Sequence, residues 1–259
     1  MSKKINVFCI KWGTQFGPEY VNNLYSMVVR NTSYDINFYC FTDNGKNLNE
    51  NITVKPLPDL DLNDEDKKKY NYVRTAGYCD DNIANLSGER IFCFDLDVVI
   101  ISNLDELFSY PNDDGFYIIK DWNSKGNRVG QGSCYSWVVG SLGFIKEHFE
   151  QNSQMVINTY STATQKYLSD MIIQKFGKLN FWPESWFCSF RFHCVPKFFL
   201  FRHFFEPKIP KDRKGLKVVV FHGVPNPTEA LKGWSVKKPF FKKIYKKCLP
   251  TTWITDYWK

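Results

Sequence analysis

Residues Arg90 to Phe108 read R-I-F-C-F-D-L-D-V-V-I-I-S-N-L-D-E-L-F, and no other stretch limits the fold as strongly. The apolar run from Ile91 to Phe94 leads into Asp95 and Asp97, and Val98 to Ile101 resumes it at once. A bounded run rich in β-branched and aromatic residues reads as a buried strand of a parallel sheet. Carboxylates at the carboxyl end of such a strand lie where open α/β sheets bind ligands. Two aspartates set in apolar flanks repel each other unless a cation or solvent meets them. The guest that suits them is a hard divalent cation carrying a diphosphate. The competing reading is a structural turn. Asp59-Leu60-Asp61 and Asp64-Glu65-Asp66 repeat the spacing in a polar stretch and read as solvated loop or helix start.

The surrounding pattern supports a parallel sheet with crossover helices. Ile5 to Ile10 is strand-like, Trp12 to Gly17 is a loop, and Pro18 and Glu19 open a helix running to about Arg30. A second strand, Ile36 to Phe41, ends in the turn Thr42-Asp43-Asn44-Gly45, and Ile52 to Leu57 is a third. A long helical segment is expected from Asp64 to about Leu86, with a break near Gly77. Further on, strands are expected at 116–119, 137–139 and 217–221, and helices at 145–160 and 167–176. The stretch 180–215, rich in Phe, Trp and Pro, resists assignment.

At 259 residues the chain suits one α/β domain, 1–238, followed by a basic aromatic tail, 239–259. No apolar run approaches membrane-spanning length. The start lacks the apolar core and cleavage site of a signal peptide, so a cytoplasmic location is expected. The eight cysteines show no paired C-x-x-C spacing, and reduced thiols are expected. The net charge of +7 is uneven: Lys197 to Lys259 holds fifteen Lys/Arg against four Asp/Glu, leaving −4 for the first 196 residues. That imbalance points to an anionic partner surface. Nucleic acid is disfavoured, because no recognition motif accompanies the charge.

Four ordered blocks then carry a family resemblance: C-I-K-W-G-T at 9–14 with F-T-D-N at 41–44, F-D-L-D-V-V-I at 94–100, P-E-S-W-F-C-S-F at 183–190, and F-H-G-V-P-N-P at 221–227. The chain resembles bacterial glycosyltransferases of the GT-A fold, in particular the family-8-like lipopolysaccharide glycosyltransferases. The resemblance implies an α/β, Rossmann-like, mostly parallel mixed sheet flanked by helices. It also implies a metal-dependent, retaining hexosyltransferase, moving a sugar from a nucleotide-sugar donor, UDP-linked by preference, to a glycan or glycolipid acceptor. Trp12, Gly13 and Tyr20 would neighbour the nucleotide, and Asp43 would accept a hydrogen bond from the base. As residues alone, Thr42 to Gly45 read equally as a turn. Arg74 would meet the donor sugar or diphosphate, and its alternative is a surface helix arginine. Asp95, Asp97 and His222 would hold Mn²⁺ or Mg²⁺, with Asp95 alternatively on the ribose, and Gly223 would let backbone approach the ligand.

The departures from the pattern are specific. Asn226 stands where such enzymes often carry a lysine, so the diphosphate-facing charge is missing or comes from elsewhere, with Lys232 as one source. Asp170-Met171 replaces an Asp-Gln pair, and Asp170 is expected to orient the sugar or acceptor hydroxyl. Gly132-Ser133-Cys134 stands where an Asn-Ser-Ser-like segment is common. Two other readings stay open: a nucleotidyltransferase, and a degenerate nucleotide-sugar-binding or membrane-adaptor protein. Pro239 to Lys247 places Phe240, Phe241, Ile244 and Tyr245 opposite Lys242, Lys243, Lys246 and Lys247, and Trp253, Tyr257 and Trp258 come next. This tail is expected either to dock peripherally on the anionic inner face of a membrane or to pack on the domain.

Overall fold

The computed structural model describes residues 4–124, 126–236 and 246–259. Its strands are β1 (Ile5–Lys11), β2 (Ile36–Thr42), β3 (Ile52–Lys55), β4 (Arg90–Phe94), β5 (Val98–Ile100), β6 (Tyr117–Lys120), β7 (Gly130–Val138), β8 (Asn180–Phe181), β9 (Phe187–Ser189), β10 (Val218–Val220), β11 (Trp234–Ser235) and β12 (Lys247–Cys248). Its α-helices are α1 (Pro18–Arg30), α2 (Asp64–Lys69), α3 (Tyr72–Thr75), α4 (Asp105–Ser109), α5 (Gly143–Tyr160), α6 (Thr164–Phe176), α7 (Pro227–Lys232) and α8 (Ile254–Tyr257). The chain gathers into two compact units, each made of three separate segments.

The first unit comprises Met1–Pro18, Tyr34–Asp95 and Glu106–Trp182. Its seven-stranded sheet has the order β3-β2-β1-β4-β7-β6-β8. β1 runs parallel to both β2 and β4, β2 parallel to β3, and β7 antiparallel to β4 and β6. Every residue of β1 is buried, as a central strand covered on both faces requires. Phe8 anchors the core edge-on to Phe41 and Tyr39, at ring-centroid distances of 5.0 and 5.4 Å. The order reverses between β1 and β4, so the carboxyl ends of these strands form the crevice where open α/β sheets take ligands.

The second unit comprises Glu19–Ser33, Leu96–Asp105 and Pro183–Lys259. It holds a three-stranded sheet, β5-β10-β9, and the small β11-β12 pair. β10 pairs antiparallel with β5 and parallel with β9. The apolar face of α1, with Tyr20, Val21, Leu24, Met27 and Val28 buried, belongs to this unit.

Several expectations change. The apolar run around Asp95 and Asp97 is not one interrupted strand: β4 and β5 lie in different sheets, and the aspartates occupy the step between them. The long helix expected from 64 to 86 is broken into α2, α3 and two 3-10 turns. Asn63 caps α2, Tyr70 is extended, and Ala84 and Asn85 have positive φ, so the helix cannot continue through them. A Cβ on Gly77 would come within 3.0 Å of Pro58, so this glycine permits a close chain approach. β7 begins seven residues earlier than the expected strand at 137–139. The eight cysteines are all buried and unbridged.

Residues 239–245 of the expected tail, including Phe240, Phe241, Lys242, Lys243, Ile244 and Tyr245, lie outside the described residues. Residues 246–259 belong to the second unit and pack within it. The Trp253 indole donates to the Pro207 carbonyl at 3.0 Å, and Trp258 meets the Tyr20 ring at 5.0 Å. For these rings, packing on the protein is what the structure describes.

Candidate functional site

Trp12, Gly13 and Asp43 come together where β1 and β2 end. The Gly13 N–H donates to Asp43 Oδ2 at 2.8 Å, and Gly13 has φ of 61°, a conformation that favours glycine. Trp12 packs against the core of the first unit. The Asp43 carboxylate therefore closes the β1 loop, and Thr42 Oγ1 accepts from Asn44 N within the same turn.

At the end of β4, the Arg74 guanidinium lies 2.7 Å from Asp95 Oδ1, the two side chains being 12% and 25% exposed. The Asp95 Oδ2 accepts from Ser133 Oγ at 2.7 Å, and its N–H donates to the Ser133 carbonyl at 3.0 Å. Ser133 is held in turn by the Gln131 side chain, which accepts from its N–H and donates to its hydroxyl. Arg74 also donates to the Gly132 carbonyl and stands over the Tyr135 ring. Burial works against the Arg74 charge, but the neighbouring Asp95 carboxylate overrides it and holds the guanidinium above its ordinary pKa.

Arg74 lines a cavity of about 440 Å³ in the first unit, together with Asn71, Asp121, Gly132, Tyr135 and Gln165. Two polar atoms of these residues, Arg74 Nε and Asn71 Oδ1, are buried without a hydrogen-bond partner among the described residues. One is a donor and the other an acceptor. Both are enclosed by protein, and each costs about 1–3 kcal/mol in that state. Asp170 is not among the cavity's lining residues: its Oδ2 accepts from Tyr160 Oη at 3.1 Å and pairs with Lys166 one turn earlier.

In the second unit, Val98 is paired with Val220, and the Phe221 N–H donates to the Asp97 carbonyl at 3.0 Å. This register brings Asp97 and His222 to the same end of neighbouring strands. His222 Nε2 hydrogen-bonds Ser189 Oγ at 2.7 Å, and Gly223 comes next with φ of 78°. An imidazole with a carboxylate is a donor pair that fits Mn²⁺. Among the described residues, no three His, Cys, Asp or Glu side chains form a ligand cluster.

Tyr20 is buried in this unit with its hydroxyl 2.7 Å from Thr228 Oγ1, and burial raises its pKa. Asn226 caps α7: its side chain accepts from the Glu229 N–H at 2.9 Å, and Glu229 accepts from the Asn226 N–H at 2.9 Å. These reciprocal bonds form a capping box, and Pro227 occupies the first turn. Ser133, Gln131 and Gln165 escape a reading by periodicity, because their roles arise from partners distant in sequence. Asn226-Pro-Thr-Glu229 did carry a local signal, the spacing of a capping box.

The mostly parallel mixed sheet flanked by helices matches the GT-A glycosyltransferase fold. The galactosyltransferase LgtC, solved with donor and acceptor sugar analogues, aligns over 86% of this chain and 89% of its own, with 13% identity and a TM-score of 0.51. A glutamine-to-glutamate active-site variant of LgtC aligns over the same shares at 12% identity and a TM-score of 0.51. The glycosyltransferase GlyE of Streptococcus pneumoniae TIGR4 aligns over 87% of this chain, 56% of its own, at 13% identity and a TM-score of 0.58. No protein-family model and no curated protein matches the sequence.

Proposed function

We propose that this protein is a metal-dependent glycosyltransferase that moves a sugar from a nucleotide donor, UDP-linked by preference, to a glycan or glycolipid acceptor of a bacterial surface polysaccharide. The observation that carries this reading is the Asp95 carboxylate held by Arg74 and Ser133 at the carboxyl end of β4, beside the polar cavity that Arg74 lines. Sugar hydroxyls both donate and accept, which suits a cavity lined by Asn71, Asp121 and Gln165. The likeness to sugar transferases supports the same reading.

Sugar transfer from a nucleoside diphosphate is limited by departure of the diphosphate. A divalent cation supplies Lewis-acid stabilisation of that leaving group. Asp97 and His222 are the residues that would hold it. Asp95, fixed by Arg74 and Ser133 at the end of β4, would serve the cation or the ribose. Trp12 and Gly13 would border the nucleotide at the end of β1. Asp170 would act at the acceptor side through its Tyr160 and Lys166 contacts.

The test is incubation with UDP-hexoses, Mn²⁺ and oligosaccharide acceptors, monitoring UDP release and the coupled product. Transfer abolished by chelation, and weakened in Asn71→Leu by a raised donor KM, is the expected result. Release of pyrophosphate would assign the protein to nucleotidyl transfer. UDP binding that is identical with and without metal would overturn the cation site.

A further inference from the structure

The polar cavity of the first unit has one carboxylate among its described lining residues, Asp121, placed just beyond β6. The Asp121 N–H donates to the Val129 carbonyl at 3.2 Å, which extends the pairing of β6 with β7, and the residue is 8% exposed. Ser124 Oγ donates to Asp121 Oδ2 at 2.7 Å. Among the described residues, no other donor meets this carboxylate, and no Lys, Arg or His pairs with it.

The cations of the same cavity are matched elsewhere. Arg74 pairs with Asp95 and Lys166 with Asp170, and neither acid belongs to the lining. Asp121 is therefore left with a neutral hydroxyl as its counterpart. A carboxylate taken out of water keeps much of its desolvation cost unless a cation offsets it. One carboxylate offers too few oxygens for a hard divalent ion, which takes about six ligands. An organic ammonium needs a single carboxylate and polar surroundings, and Asn71, Thr75 and Gln165 are among the other walls.

We propose that this cavity selects a sugar carrying a free amino group, whose ammonium lies against Asp121. The proposal rests on the sugar-transfer reading and adds the substrate class to it. A neutral hexose gives the carboxylate a hydroxyl but no charge, and an N-acetylated amine loses the charge that the pairing uses. An acidic sugar meets repulsion at the same place. Asp121 is then the residue that sets specificity, while Asp170, tied to Lys166 and Tyr160 outside the lining, is not. The amine can arrive on the donor or on the acceptor, since the charge pairing is the same for both.

The experiment is titration calorimetry of the full chain in Mn²⁺ with UDP-glucosamine, UDP-glucose and UDP-N-acetylglucosamine. A second arm adds the methyl glycosides of the same three sugars to protein saturated with UDP. In one arm the amino form is expected to bind about tenfold more tightly than the other two at neutral pH. The preference should fade as pH rises and the amine loses its proton, because the carboxylate then faces a neutral group. Asp121→Asn should abolish the preference while keeping the affinity for UDP alone and the melting temperature. Preference in the first arm places the amine on the donor, and in the second on the acceptor. Wild type without preference in either arm overturns the proposal, as does a preference indifferent to pH or retained in a folded Asp121→Asn protein. Transfer from UDP-glucose, measured separately, would leave the sugar-transfer reading standing in that event. Amino-sugar binding that obeys pH and Asp121, with no transfer from any donor, would uphold the cavity's selectivity and remove the transfer reading instead.

Discussion

The two units handle charge in opposite ways. In the first, the Asp95 carboxylate is matched atom by atom by Arg74 and Ser133, and Ser133 is itself clasped by Gln131. In the second, Arg191, Arg202, Lys246 and Lys247 share one cavity with no acid among its described lining residues. Matched charge fixes geometry before any ligand arrives, which suits a site that must hold a reacting group in place. In the second cavity Arg202 donates to the Pro196 carbonyl and Lys247 Nζ lies 3.1 Å from His203 Nδ1. The first region fixes a carboxylate, and the second gathers cations around a hollow.

The sharpest way to break that contrast is Arg74→Met. Removing one partner of a largely buried pair strands the other, and the expected loss is about 3–5 kcal/mol of folding stability, read from denaturant midpoints. A loss below about 1 kcal/mol would mean that solvent already serves Asp95. Next comes Asp97→Asn, which should cut Mn²⁺-dependent UDP binding at least a hundredfold, about 2.7 kcal/mol, with an unchanged melting curve. Titration calorimetry with and without Mn²⁺ decides it, and an undiminished metal effect would remove Asp97 from the site. Asp170→Ala should lower turnover about tenfold, or about 1.4 kcal/mol, with UDP affinity retained. Unchanged turnover would leave Asp170 as a surface partner of Lys166 and Tyr160. The smallest effect is expected for Asn226→Ala, about 1 kcal/mol of stability from the lost cap, with turnover per folded molecule preserved. A fall in donor affinity there would give Asn226 a ligand role as well.

The sequence made the first strands legible because β1 and β2 are apolar runs with no competing period, and β4 ends where its carboxylates begin. It concealed most of β7. Gly130-Gln131-Gly132-Ser133 shows no hydrophobic alternation, yet all four are buried. Their polar groups are satisfied by Ser169 and Gln165 of α6 and by each other, partners that no local window contains. Arg74 could be singled out only through family resemblance, since nothing near it in sequence announces Asp95 as its partner. The long helix failed because its polar pattern said nothing of Gly77 against Pro58 or of the positive φ at Ala84. Asn226 shows the opposite case: a local signal for a cap was present, and resemblance drew attention to the missing lysine instead.

The interleaving of the units bears on how the protein is made. β5 is buried, yet its sheet partner β10 emerges only about 120 residues later. At synthesis rates of about 5–20 residues per second, the Val98–Ile100 segment waits roughly 6–24 s for that partner after leaving the ribosome. α1, emerging earlier still, carries an apolar face that belongs to the same late-forming unit. During that interval these surfaces are open to wrong pairing, so a nascent chain ending near Trp182 should be a strong client of holding chaperones.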